Sequence, residues 1–598
     1  MYRKGIAGLL LGLGLVLNAQ AQAPRAAPAE AATPVDLQWG VRIPMRDGVE
    51  LQATLYRPQG QKDALPCVLT LTPYIAQSYH DRGRYFAAHG YVFAAVDARG
   101  RGNSAGQFTP FLQEAQDGHD IVEWLARQSY CNGKITMWGG SYAGYDQWAT
   151  AKEKPAHLAT IVPVASVMPG LDFPMRNNIF YPYDMRWLTL VSGKAAQDDL
   201  FGDEAMWGQL FRSAHEAHAP FNTLDTRFGN PSAHFQQWVA NPLQSEYWDR
   251  LSPTQAQYAA LDLPILSITG HYDGDQPGAL AFYANHMKYG TAAARDRHYL
   301  IIGPWDHAST RTPREEYAGL KYGSASMLDM NALHKAWYDW TLKNGPKPEF
   351  LKARVAYYVT GSNDWRYADT LEAITAEQRA YFLASDNGRA GDVYASGRLE
   401  ADQRGKRSGS DRYVYDPLDV SAVEGDATDE SGAELTDQRP LLRRNGKQLV
   451  YHTAPLDKDT DIAGFFRFSA WLKLDQPDTD FSVDIYAIAP DGSSLLLSND
   501  VMRARYRQSL REARLVKPGK VERYDFERFT FVARQLKRGS RLRLVLGPIN
   551  NLGMQKNYNS GGVVNAEGAK DARTVTVELL HDAQHPSALY VPIAVPKP

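Results

Sequence analysis

Three side chains in this sequence could together break an acyl bond: Ser141, Asp273 and His307. Ser141 sits in Trp138-Gly139-Gly140-Ser141-Tyr142-Ala143-Gly144, Asp273 in Gly270-His271-Tyr272-Asp273-Gly274-Asp275, and His307 in Gly303-Pro304-Trp305-Asp306-His307. A serine hydroxyl attacks an acyl carbon only when a base takes its proton, and an imidazole serves as that base when a carboxylate fixes its tautomer and stabilises its charge. Each residue alone has an ordinary alternative: a serine among glycines is often a turn, an acid after a strand often caps a helix, and a lone histidine is often surface. Their arrival in the order serine, aspartate, histidine, each after a strand-like run, favours acyl transfer to water through an acyl-enzyme.

The chemistry demands particular elements. The run Ile135 to Met137 reads as a strand and Tyr145 to Lys152 as a helix, so Ser141 falls on a sharp strand-to-helix turn where small residues are needed. Ala143 stands where the usual elbow has its second glycine, with Gly144 following, and the Tyr142 N–H would face an oxyanion forming beside Ser141. Upstream, Asp-Gly in Arg46-Asp47-Gly48 signals a hairpin between strand-like runs. Cys67 to Leu71 and Tyr91 to Val96 read as strands covered on both faces, Arg82 to Ala88 and Phe111 to Gln128 as helices, and Ala159 to Pro163 as a further strand. Strands alternating with helices predict a doubly wound parallel sheet, with the site outside the carboxyl ends of the strands. The pattern lapses between about 169 and 260, in aromatic-rich helical segments such as Glu204 to His218, and returns at Pro264 to Thr269 and His298 to Ile302. From about 350 short strand-like runs separated by Gly, Asp and Asn turns predict an antiparallel sandwich of jelly-roll type.

The expected fold is therefore an α/β-hydrolase sheet over 35–168 and 261–349, with a helical cap inserted at 169–260 and a C-terminal β-sandwich at 350–598. The polar span from Asp419 to Pro440 reads as a long loop or a partly disordered segment. Arg3 and Lys4, the apolar run Ile6 to Leu17 and Ala19-Gln20-Ala21 read as a signal peptide over 1–21, followed by a disordered leader over 22–34. The expected location is periplasmic or secreted, with no membrane span.

A formal net charge of −2 over 598 residues and the lack of a basic block argue against nucleic acid as a partner. Nothing calls for a metal or an organic cofactor. His215 and His218 could share a ligand on a helix, but with no third ligand evident they read as a solvated face. Cys67, one of only two cysteines, reads as a small buried hydrophobe rather than half of a bridge to Cys131, and the sequence does not say whether the two meet. Oligomeric state is equally open.

Several motifs stand out: Asp97-Ala98-Arg99-Gly100-Arg101-Gly102-Asn103-Ser104, Cys131-Asn132-Gly133-Lys134, Gly139-Gly140-Ser141-Tyr142-Ala143-Gly144, Tyr272-Asp273-Gly274, Gly303-Pro304-Trp305-Asp306-His307 and, in the sandwich, Tyr415-Asp416-Pro417, Asp480-Phe481 and Pro490-Asp491-Gly492. Taken together, they resemble those of the X-Pro dipeptidyl-peptidase-like serine hydrolases, the group that includes cocaine esterase, the α-amino acid ester hydrolases and glutaryl-7-aminocephalosporanic acid acylase. The resemblance implies Ser141, Asp273 and His307 as the triad, and Tyr74 of Thr72-Pro73-Tyr74 as the hydroxyl completing the oxyanion hole with the Tyr142 N–H. It also implies a carboxylate cluster for a substrate ammonium group, matched here by Asp172 and Asp275 and departed from at Gln276, where a third acid is expected. The alternatives are a cap of the following helix for Asp275 and a solvated loop acid for Asp172. The expected substrates are small esters, amides or short peptides, α-amino acyl compounds first. An X-Pro dipeptidyl peptidase, a general acyl esterase and an idle hydrolase fold that binds surfaces are the other readings.

Overall fold

The computed structural model describes residues 34–386, 388–402, 409–423 and 435–596. The expected signal peptide, most of the leader and the middle of the Asp419–Pro440 span lie outside these residues. The hairpin forms as expected, with β1 (Val35–Pro44) pairing antiparallel to β2 (Glu50–Pro58) and Pro44 opposite Glu50. It edges a ten-stranded sheet completed by β3 (Leu65–Thr72), β4 (Val92–Asp97), β5 (Cys131–Gly140), β6 (Leu158–Val164), β7 (Ile265–Tyr272), β8 (His298–Asp306), β9 (Val355–Val359) and β10 (Asp364–Ala368), in the order β1-β2-β4-β3-β5-β6-β7-β8-β9-β10. From β4 to β9 neighbouring strands run parallel. The sheet thus runs on past 349, because β9 pairs with β8 and β10 with β9.

The central strands are predominantly apolar because both faces are covered, one by α1 (His80–Ala88) and the other by α2 (Glu114–Ala126) among other elements. On β3, Cys67, Leu69 and Leu71 enter one core and Val68 the other, as the alternation of a strand requires. The first core also contains Trp187, Phe211 and Trp238 from the segment between β6 and β7. That segment carries helices including α4 (Tyr183–Leu190) and α5 (Glu204–Glu216), and it shares the sheet's core rather than building its own. The chain reverses its winding between β3 and β5, the two strands whose carboxyl ends lead to Tyr74 and Ser141. This is the switch point at which a parallel sheet opens a crevice.

Cys67 and Cys131 form a disulfide with their Cα atoms 5.9 Å apart, contrary to the reading of Cys67 as a lone hydrophobe. The cause is register: β3 and β5 are neighbours, with Leu65 opposite Cys131.

Among the described residues the C-terminal region is a β-rich domain of thirteen strands built around a large apolar core. Alternating burial on Arg467–Leu474 and Asp480–Ile488 shows one face of each strand packed inward. The domain is bound to the cap by polar contacts, among them Asn177 Nδ2 to the Val501 carbonyl at 2.8 Å and Arg176 Nη1 to Asn499 at 2.8 Å. His215 and His218 lie half-buried in this seam beside Lys556, whose Nζ reaches the His215 carbonyl at 3.4 Å and His218 Nδ1 at 3.3 Å, so they are not the solvated face expected of them.

Candidate active site

Ser141 follows β5 directly with φ 63° and ψ −125°, a strained conformation for a residue with a side chain, and α3 begins at the next residue (Tyr142–Lys152). Two glycines make the turn possible. A Cβ on Gly139 would lie 2.6 Å from the Ala143 Cβ, and one on Gly144 would lie 2.5 Å from the Val164 carbonyl oxygen at the end of β6. The tight packing of α3 on β6 therefore falls on Gly144, which leaves the preceding position free to be alanine. The Tyr142 N–H belongs to the first turn of α3 and has no acceptor within the helix. Its side chain is buried: the hydroxyl donates to Glu114 at 2.5 Å and accepts from the Phe111 N–H at 2.6 Å. Burial pushes Glu114 up to about 7, against the hydrogen bond from Tyr142.

Tyr74 follows β3 across the crevice. Its hydroxyl accepts from the Trp187 indole N–H at 3.0 Å and lies within hydrogen-bonding reach of Ser141. The Tyr74 segment is tied down by the motif after β4. Asp97 Oδ1 accepts from the Ala76 N–H at 2.7 Å. Arg101, fully buried, donates to the Pro73 carbonyl at 2.8 Å and to the Val191 carbonyl at 2.6 Å. Arg101 thereby holds the Tyr74 strand end against the end of α4.

On the other side, Asp273 follows β7 and His307 follows β8, and His307 Nδ1 is 2.7 Å from Asp273 Oδ1. Asp273 also accepts from Thr269 Oγ1 at 2.8 Å and from the Asp275 N–H at 3.0 Å. Burial raises its pKa, but these donors, His307 foremost, outweigh it and hold the group below the ordinary carboxylate value. The His307 ring keeps 36% of its side-chain surface exposed while Asp273 has none, so the imidazole alone of the pair faces the crevice. Burial lowers His307, and Asp275 and then Asp273 more than reverse this, leaving it above its ordinary value. Among the described residues no hydrogen bond joins Ser141 to His307.

Asp275 Oδ2 is 3.7 Å from His307 Nδ1. It occupies the N-cap position of α6 (Gln276–Tyr289) without a side-chain capping bond. Asp172 is buried rather than solvated, with Oδ1 accepting from the Met168 N–H at 2.8 Å and Oδ2 from the Gly278 N–H at 2.6 Å. Burial, then repulsion from Asp275, drives Asp172 far above the usual carboxylate range. Gln276 turns away from this pair: its side chain donates to the Gly270 carbonyl at 2.9 Å and accepts from the Phe531 N–H at 2.6 Å, pinning the β-rich domain behind the Asp273 loop. Ligand atoms of Asp273, Asp275 and His307 lie within 4.8 Å of one another, with Asp273 and His307 already joined by their own hydrogen bond.

Residues 47–309 match the X-Pro dipeptidyl-peptidase (S15) family, and residues 350–589 match the X-Pro dipeptidyl-peptidase C-terminal non-catalytic domain. The chain belongs to the X-Pro dipeptidyl-peptidase-like serine hydrolases. It is 27% identical over 588 residues to the cocaine esterase of Rhodococcus sp. (strain MB1 Bresler), covering 92% of this chain and 98% of that one. Two solved structures share the fold: an aminopeptidase from the marine sediment archaeon Thaumarchaeota archaeon (TM-score 0.79, 21% identity, 96% of this chain and 99% of that one) and an α-amino acid ester hydrolase (TM-score 0.78, 21% identity, 97% and 100%).

Within this serine hydrolase the sequence left several site residues unread. Trp187, Arg101, Glu114 and Thr269 each hold a group of the crevice, and none lies in a pattern that announces such a role. Only Arg101, inside the motif that follows β4, carried a signal, and that signal gave no partner.

Proposed function

We propose that the protein is an exported serine hydrolase that forms an acyl-enzyme on Ser141, with His307 as base, Asp273 as its orienting acid, and the Tyr74 hydroxyl and Tyr142 N–H as oxyanion donors. Its substrates are esters or amides of small acyl compounds, α-amino acyl compounds first. On binding, the Ser141 hydroxyl turns from Tyr74 to His307, which takes its proton as the bond to the acyl carbon forms. Tyr74 and Tyr142 then receive the oxyanion. His307 returns the proton to the leaving group, and water repeats the sequence to release the acid. Export rests on the signal-peptide pattern of residues 1–21.

The observation that carries the amino-acyl reading is Asp275, a carboxylate 3.7 Å from the imidazole and outside the Asp273–His307 hydrogen bond. Buried Asp172 lies close enough to feel its charge. Two acids crowded beside a nucleophile gain when a cation arrives between them and the reacting acyl group. A free peptide amino terminus would use the same acids, so the X-Pro dipeptidyl-peptidase match supports short peptides as a second substrate class.

The test compares kcat/KM for phenylglycine methyl ester and its desamino analogue, phenylacetic acid methyl ester, with Ser141→Ala as blank. A preference of tenfold or more for the amino ester, corresponding to about 1.4 kcal/mol, that collapses in Asp275→Asn supports the reading. Equal rates would reduce the protein to a general acyl esterase.

A further inference from the structure

We propose that Trp187, carried by the cap, is a positioning residue for the oxyanion hole: its indole N–H holds the Tyr74 hydroxyl so that the tyrosine's own proton points at the reacting oxygen. The inference rests on Tyr74 being the oxyanion donor. A phenol hydroxyl has one proton and two acceptor positions, and an indole N–H can only donate. With the indole 3.0 Å away and donating, the Tyr74 proton cannot point toward Trp187 and is left for the Ser141 side of the ring. A hydroxyl that already accepts a hydrogen bond is also the stronger donor, so the contact strengthens the bond that Tyr74 gives to a developing negative charge.

The indole has little freedom to leave. It stacks on Phe111, with centroids 6.0 Å apart and planes 8° apart, and on Tyr142 at 5.8 Å and 17°, while Phe173 meets it edge-on at 5.2 Å. Tyr142 is itself pinned through its hydroxyl by Glu114 and Phe111. Arg101 sets the spacing independently, since one guanidinium joins the carbonyl before Tyr74 to a carbonyl just past α4. The cap thus contributes to the chemistry at the oxyanion as well as covering the crevice.

The experiment is a double-mutant cycle on Trp187→Phe and Tyr74→Phe, measuring kcat and KM with the faster of the two methyl esters and checking each variant's Tm. Trp187→Phe keeps a stacking ring and removes the N–H. The expected loss is about 5- to 10-fold, the worth of one hydrogen bond, falling on kcat and vanishing when Tyr74 is already phenylalanine. Should the smaller ring of Trp187→Phe disturb the cap, 3-benzothienylalanine in place of Trp187, which replaces N–H by sulfur in the same outline, should show the same loss. An equal loss in the Tyr74→Phe background, or no loss in the native one, overturns the proposal while leaving Tyr74 in place. A Tyr74→Phe variant with native activity removes the oxyanion reading and this proposal with it.

Discussion

The two sides of the crevice are built in different ways. Asp273 and His307 are 34 residues apart, on loops after neighbouring strands of one sheet, and their contact follows once β7 and β8 pair. Tyr74 and Trp187 are 113 residues apart, and their contact exists only because an inserted segment folds back over the strand ends. The proposed base side is a product of the sheet, whereas the proposed oxyanion side is a product of the sheet and the inserted helical segment together. Damage to the base side should therefore stay local to the imidazole, whereas damage to the oxyanion side can begin anywhere that α4 is held.

The sharpest break in this contrast comes from Asp273→Asn. An amide cannot stabilise the imidazolium and favours the wrong tautomer, so kcat should fall about 10⁴-fold with KM little changed. Steady-state kinetics on a variant of native circular dichroism would decide it, and a loss under tenfold would remove Asp273 from the base side. Tyr74→Phe comes next, with acylation slowed by about 10² or more as one oxyanion donor is lost. Stopped-flow acylation at the native rate would place the oxyanion elsewhere.

How far each side could be read in the sequence follows from the same contrast. The parallel sheet, the elbow and the acid and histidine after successive strands were visible because their signals are local: a run of apolar residues, then a turn, then one side chain. Trp187 gave no such signal, because a tryptophan on an apolar helix is ordinary core until the fold places its N–H against a hydroxyl. Gln276 looked like a departure from an acidic cluster, yet its amide donates to the Phe531 carbonyl and accepts from the Phe531 N–H across a domain seam, a role that no acid of the same length could fill while ionised. Asp172 could not be told from a solvated acid without knowing that α6 would cover it. The disulfide was hidden for a related reason, since only the register of β3 against β5 brings two distant cysteines together.

That bridge offers a change of stability without a change of chemistry. It links residues 64 apart in sequence at the amino-terminal ends of β3 and β5, whereas the crevice lies at their carboxyl ends. Replacing both cysteines by alanine should cost about 2–4 kcal/mol, as the unfolded chain regains the freedom of that loop. Denaturant titration would measure this, and kcat at 25 °C should stay native. A large loss of activity in the folded variant would mean that strain passes along β5 to the elbow, and the two ends of the sheet would no longer count as independent.

The smallest effect separates the two acids on the base side. Asp275 raises the His307 pKa through its charge and Asp273 through both its hydrogen bond and its charge, while burial and Arg311 lower it. A base must be neutral to act, so a raised pKa moves the acid limb of kcat/KM to higher pH, since that limb reports the free enzyme. Asp275→Asn removes the upward influence of the Asp275 charge and leaves the Asp273 hydrogen bond intact. With the desamino ester, which has no ammonium group for Asp275 to hold, the acid limb should move to lower pH while the plateau above it is kept. The variant would then outpace the native enzyme in mild acid and match it in mild base. A limb that stays where it was would show that Asp275 is screened from the imidazole, and would return the tuning of His307 to Asp273 alone.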